Sequence, residues 1–220
     1  MSRLITTSLI GSINWLQSCP PSWKDRAYTS LTNTLSRIWS EPGKEARLGI
    51  DFEKALYGII EKNTEIEEID KLNASDHFKG LVKTYVTKEI EIQKKIKRFI
   101  DMDGREYCLY GKVDIFHPEE QLIVDVKTTS KRMDDYSNKY LSTFQHHMYC
   151  FIMEILNFKY VVVAFNENTN TIRAIQEIEY HVSDLSEERK IIEDKIKEVF
   201  AFFGQHLELF KLYEEKYCLY

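Results

Sequence analysis

The sequence predicts a mixed α/β fold: a mixed β-sheet flanked by helices. Two observations carry that prediction. The apolar pattern has helical spacing through the first third of the chain, switches to strand-like alternation near Ile90, Ile92 and Ile96, and turns helical again after Ser183-Asp184. A compact apolar run, Tyr160-Val161-Val162-Val163-Ala164-Phe165, suits a strand buried on both faces. The expected order is several helices, three sequential strands, a helix, a strand, another strand and a final helix.

Each element follows from local signals. Residues 7–16 read as a helix with Ile10, Ile13 and Trp15 among its apolar positions, and Cys19-Pro20-Pro21-Ser22 breaks it. Ser22 is placed to cap a second helix running to about Trp39. After the Glu41-Pro42-Gly43 break, residues 44–61 form a helix with Leu48, Phe52, Leu56 and Ile59 near helical spacing, and a further helical piece covers residues 75–86. The alternating strand follows, ending in the turn signal Asp101-Met102-Asp103-Gly104, in which Asp-Gly is a favoured pair. Strands at 106–116 and 122–129 flank the short linker His117-Pro118-Glu119-Glu120 and should pair as a hairpin. Residues 138–156 look helical, 166–170 form a polar turn, and 171–182 alternate weakly as one more strand. The late helix, from residue 185 to about Tyr213, carries Ile191, Ile192, Ile196, Val199 and Phe202 near one face. Phe203, Leu207, Leu209, Phe210 and Leu212 add apolar surface suited to core packing. The expected organisation is one domain over 1–220: a helical part at 1–86, a sheet core at 87–182 and a C-terminal helix at 183–220.

Composition narrows the class. At 220 residues the chain is long enough for a sizeable core. No apolar stretch approaches the length of a membrane span. The apolar run after Arg3 is broken by Thr6, Thr7 and Ser8, which argues against a secretory signal and for a bacterial or infected-host cytoplasm. Cys19, Cys108, Cys150 and Cys218 are far apart, without a Cys-x-x-Cys pair, and read as partly buried thiols. The net charge of −5 does not advertise nucleic-acid binding, yet basic clusters exist at Lys94, Lys95, Lys97 and Arg98 and at Lys131 and Arg132. No Walker-type phosphate loop is present, so this chain encodes no ATP motor.

The chemistry concentrates in two strands. In Leu122-Ile123-Val124-Asp125-Val126-Lys127, alternation puts Leu122, Val124 and Val126 on one apolar face and Asp125 with Lys127 on the other. In Gly111-Lys112-Val113-Asp114-Ile115-Phe116, Val113 and Ile115 are expected to point one way and Asp114 the other. Hairpin pairing then brings Asp114 beside Asp125 and Lys127. Two carboxylates with an adjacent amine form a hard-cation site suited to phosphodiester hydrolysis by Mg2+ or Mn2+. Asp114 and Asp125 would ligate the cation, and Lys127 would orient the attacking water or stabilise charge at the phosphate. Glu53, with Asp51 as its neighbour, lies at the edge of an apolar helical stripe; periodicity leaves open whether it faces the sheet or solvent. Gln145 and Tyr149, at i and i+4, share one helical face and would either reach the site or pack together. His146 and His147 are adjacent, so they point to different sides of a helix and suit structural or surface roles.

These residues, taken in order, resemble the PD-(D/E)XK nuclease superfamily, and more closely its RecB-type and phage-exonuclease branch. The likeness runs through Gly111-x-x-Asp114, then Ile123-Val124-Asp125-Val126-Lys127-Thr128, then Gln145-x-x-x-Tyr149, with Gly49-x-x-x-Glu53 upstream and Ser8-Leu9 and Cys19-Pro20 in the opening helix. It covers the chain from about residue 8 to 165. It implies a restriction-endonuclease-like core of helix, three-stranded meander, helix and strand. It implies a metal set of Asp114, Asp125, Glu53 and Val126, catalysis by Asp114, Asp125, Lys127 and Glu53, and substrate binding by Gln145 and Tyr149. Asp125 stands where many members have glutamate. Some relatives hold an iron–sulfur cluster on one early and three late cysteines; only Cys218 lies late here, so no such cluster is expected.

The implied activity is a Mg2+- or Mn2+-dependent DNA nuclease, an exonuclease in recombination, repair or phage DNA processing. A non-catalytic nucleic-acid- or protein-binding module and a restriction-type endonuclease are the alternatives. The partner is DNA, with no membrane, and the assembly stays open between a stand-alone enzyme, a homo-oligomer and a subunit beside a recombination protein.

Overall fold

The computed structural model describes residues 2–39, 41–61, 76–86, 89–132, 134–166, 169 and 171–219. Its helices and strands alternate as a mixed α/β fold. A short strand β1 (Ser2–Thr6) leads into α1 (Thr7–Ser18), then a 3-10 turn at Pro21–Trp23, α2 (Lys24–Ser36), α3 (Lys44–Ile60) and α4 (Asp76–Val86). Three strands follow: β2 (Glu91–Met102), β3 (Arg105–His117) and β4 (Leu122–Thr129). The chain continues through α5 (Ser137–Leu141), α6 (Gln145–Met153), β5 (Asn157–Phe165), β6 (Ile172–His181), α7 (Leu185–Gln205), α8 (Leu207–Tyr217) and β7 (Cys218–Leu219).

The strands form one mixed sheet in the order β6-β5-β4-β3-β1-β7, with β2 also paired to β3. β2 runs antiparallel along the length of β3, from Glu91↔Phe116 to Met102↔Arg105. The connecting turn is Asp103-Gly104, both at positive φ (55° and 71°), the conformation a two-residue hairpin turn demands. The opposite edge of β3 is shared. Near its start it pairs in parallel with β1 (Arg3↔Tyr107 to Thr6↔Tyr110), and at its end it pairs with β4 through Ile115↔Val124, Phe116↔Ile123 and His117↔Leu122. Between those two partners the edge is open, and β4 leaves to run parallel with β5.

Two cores result, one on each side of the sheet. The larger one gathers Leu9, Ile13, Leu31, Met148, Ile192, Ile196, Phe203 and Tyr213 from α1, α2, α6, α7 and α8. The smaller one lies under α3 and α4 and includes Phe52, Leu56, Phe78 and Leu81. β5 feeds both: Phe158, Tyr160 and Val162 enter the larger core, Val161, Val163 and Phe165 the smaller. That division fits its continuous apolar sequence.

Several sequence expectations need correction. The first residues form strand β1, whose signal is hidden because only Leu4 and Ile5 are strongly apolar. Thr6 then caps α1, its side chain accepting a hydrogen bond from Leu9 N at 3.1 Å. Ser22 does not cap α2; it sits inside the 3-10 turn, and α2 begins at Lys24 with no side-chain cap. That helix stops at Ser36 rather than Trp39, because Arg37 takes the left-handed conformation (φ 54°). The expected helix at 138–156 is two helices separated at Ser142–Phe144, and the late helix is broken at His206. In both cases the apolar pattern continues in phase across a short break, so periodicity alone does not reveal it. Val113 and Ile115 do not share a core: Val113 belongs to the larger, Ile115 to the smaller. The ladder skips the Gln93/Asp114 position between them, and Gln93 adopts a φ of 54° there. The start of the 75–86 helix and most of the polar turn at 166–170 lie outside the described residues. No helix among the described residues is long and apolar enough to cross a membrane.

Candidate metal-assisted active site

The sequence-predicted residues converge where β4 parts from β3. Extending the hairpin register by one step would pair Asp114 with Asp125, and there the backbone ladder ends. A side chain takes over: Asp114 Oδ2 accepts a hydrogen bond from Val126 N at 2.9 Å, and Oδ1 accepts one from the Gln93 amide at 3.1 Å. The carboxylate therefore pins the split by replacing a strand-to-strand bond. Val126 enters through its backbone N–H, while its side chain packs in the smaller core with Val124. Asp125 is almost fully buried. Its Oδ1 accepts a short hydrogen bond from the Gln145 amide. Its Oδ2 faces Lys127 Nζ at 2.6 Å as an ion pair and takes no aligned hydrogen bond.

Two glycines explain how helices reach the split. A Cβ at Gly49 would fall on Thr128 Oγ1, so α3 lies directly against β4 only because that position has no side chain. One turn further along α3, Glu53 is half-buried and feels Lys127 and Asp125. A Cβ at Gly111 would fall on the Tyr149 ring. Tyr149 instead occupies the open edge of β3, its hydroxyl accepting from Lys112 N at 3.4 Å and donating to Lys112 O at 3.2 Å. Gln145 lies one turn away on the same face of α6. The Gly-x-x-x-Glu, Gly-x-x-Asp and Gln-x-x-x-Tyr spacings are thus three consequences of one close-packed junction. His146 and His147 do not point to different sides of the helix as expected: their ring centroids lie 4.1 Å apart and both turn from the site, His146 Nδ1 meeting the Tyr160 hydroxyl at 3.1 Å and His147 Nδ1 meeting Glu188 at 2.7 Å.

Burial and like charge set the electrostatics. Loss of solvent raises the Asp114 carboxyl to about 7, with Asp125 pushing the same way and Lys127 opposing. Desolvation also raises Glu53, Lys127 partly offsets it, and Asp125 adds to it. Burial would lower the Lys127 ammonium, but the Asp125 and Asp114 carboxylates outweigh that and hold it above the usual lysine range. Two residues escaped sequence reasoning. Tyr57, one turn after Glu53, is raised by burial and by Asp114, Glu53 and Asp125, and its hydroxyl has no aligned hydrogen bond. Gln93 holds Asp114 from β2. Tyr57 had a readable signal in its i, i+4 spacing from Glu53; Gln93 had none, because its reach depends on a left-handed backbone inside a strand.

The donor set fits a hard divalent cation. Asp114 and Asp125 would be the oxygen donors, Asp125 Oδ2 is buried without an aligned hydrogen bond, and a cation beside Asp114 would offset the burial and the Asp125 repulsion that raise it. Among the described residues no three His, Cys, Asp or Glu side chains already converge as a ready-made cage. Lys127 now neutralises Asp125, and Glu53 stands back from the pair.

Comparisons with known proteins bear on the fold. No protein-family profile matches the chain. No curated protein matches it either. Among solved structures, a phage-related exonuclease from Haemophilus somnus 129PT is similar with a TM-score of 0.52 at 10% identity, over 94% of this chain and 96% of that one. The structure of SSO0001 is similar with a TM-score of 0.51 at 15% identity, over 90% of this chain and 77% of that one. The chain thus shares the mixed α/β architecture of these structures. At these identities the likeness is one of architecture, and chemistry must be argued from the site.

Proposed function

We propose that the chain is a divalent-metal-dependent deoxyribonuclease of the PD-(D/E)XK type, one catalytic unit that trims DNA from ends. The observation that carries this reading is the meeting of Asp114, Asp125 and Lys127 at the β3–β4 split, with Gln145 bonded to Asp125 from α6 and Glu53 set back on α3. The similar fold of a phage-related exonuclease supports the choice among hydrolases.

Asp114 and Asp125 would hold Mg2+ or Mn2+, with Glu53 helping to complete the set. The bound cation would supply an activated water and neutralise charge at the phosphate. The chain's own residues do the rest. Lys127, held charged by its carboxylate neighbours, would leave Asp125 to pair with the phosphate or to donate a hydrogen bond to the attacking water. Gln145 fixes the rotamer of Asp125, so the carboxylate need not reorganise when substrate arrives. Tyr149 satisfies the Lys112 backbone on the edge of β3 that neither β1 nor β4 covers.

The test is a time course on end-labelled linear and closed circular DNA, single- and double-stranded, with Mg2+, Mn2+ or chelator. Linear DNA should be degraded from its ends with either metal and left intact with chelator. Equal cleavage in chelator, or none in either metal, overturns the reading; cutting of closed circles would replace end-trimming by endonuclease action.

A further inference from the structure

Beside the site, on the far side of Tyr149 from Gln145, a groove of about 530 Å³ runs over the β2–β3 hairpin toward the end of α2. Its floor carries Lys97 and Phe99 from β2 and Tyr110 from β3, with Lys112 near the site and Arg37 and Trp39 at the far end. No Asp or Glu is among the residues that line it, although the chain as a whole has a net charge of −5. Phe99 is 48% and Trp39 89% exposed, so both rings are open to a stacking partner. Lys97 Nζ lies 5.8 Å from the Phe99 ring centroid, so a cation and an aromatic face share one spot. Arg37 is held in place, donating to Lys216 O at 3.2 Å and stacking over Tyr217 at 4.7 Å. Trp39 also borders a second depression of about 540 Å³, lined by Arg26 and Arg37 and again free of acids.

We infer that this groove is a track for single-stranded DNA, leading from the catalytic split past Phe99 to Trp39. The inference deepens the nuclease reading and rests on it. Bases expose their faces to stack on Phe99 and Trp39 only when they are out of a duplex, while Lys112, Lys97 and Arg37 match the phosphates between them. Alternating cations and aromatic faces recognise a polynucleotide strand without reading its sequence. A blunt duplex presents phosphates but no free base faces, so it gains only the charge. The groove therefore favours a frayed or single-stranded end over an intact helix.

The experiment is fluorescence anisotropy of the full chain, in chelator, with labelled single-stranded and blunt double-stranded oligonucleotides. Intrinsic tryptophan emission is followed in parallel. The wild type should bind the single strand more tightly and show quenching that is lost in Trp39→Phe. Phe99→Ala and Trp39→Ala should each weaken single-strand binding about tenfold and leave duplex binding unchanged. Lys97→Glu should flatten the dependence of affinity on salt. All of these positions are on the surface, and thermal melting checks that each variant folds. Wild-type levels of single-strand binding in the aromatic variants overturn the inference. So does a dimer in gel filtration that Phe99→Ala dissociates without altering DNA binding, since a second copy would then own the face. Cleavage is scored separately with Mg2+: strand binding that depends on Phe99 without any cleavage would keep the groove and discard the nuclease reading, and cleavage with unchanged binding in Phe99→Ala would do the reverse.

Discussion

Helix α6 separates two polar clusters that differ in almost every respect except location. On one side, Gln145 and Tyr149 face Asp114, Asp125 and Lys127. On the other, His146 and His147 face Tyr160, Tyr180 and Glu188. The second cluster is closed on itself. Tyr180 donates to Glu188 Oε1 at 2.7 Å, His147 Nδ1 meets Oε2 at 2.7 Å, and Thr143 and Tyr160 share a 2.8 Å bond. Such a network ties α6, β5, β6 and α7 together and pairs its one carboxylate with two donors, leaving His146 Nε2 buried without a hydrogen bond. The first cluster is not closed. It holds two acids against one ammonium, raises Asp114 to about 7, and keeps Lys127 partly exposed. Four consecutive residues, Gln145 to Met148, thus divide among the candidate site, the supporting network and the core. A stability network satisfies its charges; a site with work to do leaves them in tension.

The sharpest way to break that contrast is to remove its acids one at a time. Asp114→Ala and Asp125→Ala should each cost about a thousandfold or more in cleavage, since several kcal/mol of charge stabilisation disappear, while circular dichroism stays native. Lys127→Ala should do the same to turnover, and a binding module would tolerate it. Unchanged turnover in any one variant would place the chemistry elsewhere.

Substitutions behind the helix should invert the pattern. Glu188→Ala leaves His147 and Tyr180 without their buried acceptor and should cost about 3 kcal/mol of stability, read by urea unfolding, with the cleavage rate of the remaining folded protein intact. A variant that kept its stability but lost activity would erase the distinction. His146 sharpens it through pH. Burial, with a smaller push from His147, lowers its pKa from 6.5 to about 3. The unfolded chain therefore takes up a proton before the folded one does. Its contribution to stability is full above about pH 6.5 and falls by about 1.4 kcal/mol per pH unit down to about pH 3. His146→Phe should flatten that acid branch, and an unchanged branch would show that other groups set it.

Gly111→Ala probes the junction between the clusters. The added methyl meets the Tyr149 ring and should cost about 1–3 kcal/mol, seen as a lower Tm. In a Tyr149→Ala background the same Gly111→Ala change should cost less, because the colliding ring is gone. The smallest effect is expected at Glu53, which stands back from the two aspartates: Glu53→Gln should weaken metal binding less than Asp114→Asn. The reverse ranking would make α3 the principal metal-binding element.

Much of this was legible in the residues. Alternation in β4 assigned Val124 and Val126 to a core and Asp125 with Lys127 to the opposite side, and the short His117–Glu120 linker set the hairpin. The glycine spacings were legible as a pattern, but their reason appears only when Gly111 is seen under Tyr149 and Gly49 on Thr128. Other features depend on contacts distant in sequence. β1 is short and weakly apolar, and becomes a strand because β3 and β7 flank it. The breaks at Ser142–Phe144 and His206 fall inside patterns that continue in phase. Gln93 reaches Asp114 only through its left-handed backbone inside β2.

The most direct test is a calorimetric titration of Mn2+ into the wild-type chain and into Asp114→Asn and Asp125→Asn. One saturable binding event in the wild type, lost or strongly weakened in both variants while both remain folded, is the predicted result. No binding in the wild type, or equal binding in all three, would contradict a cation held between these two carboxylates.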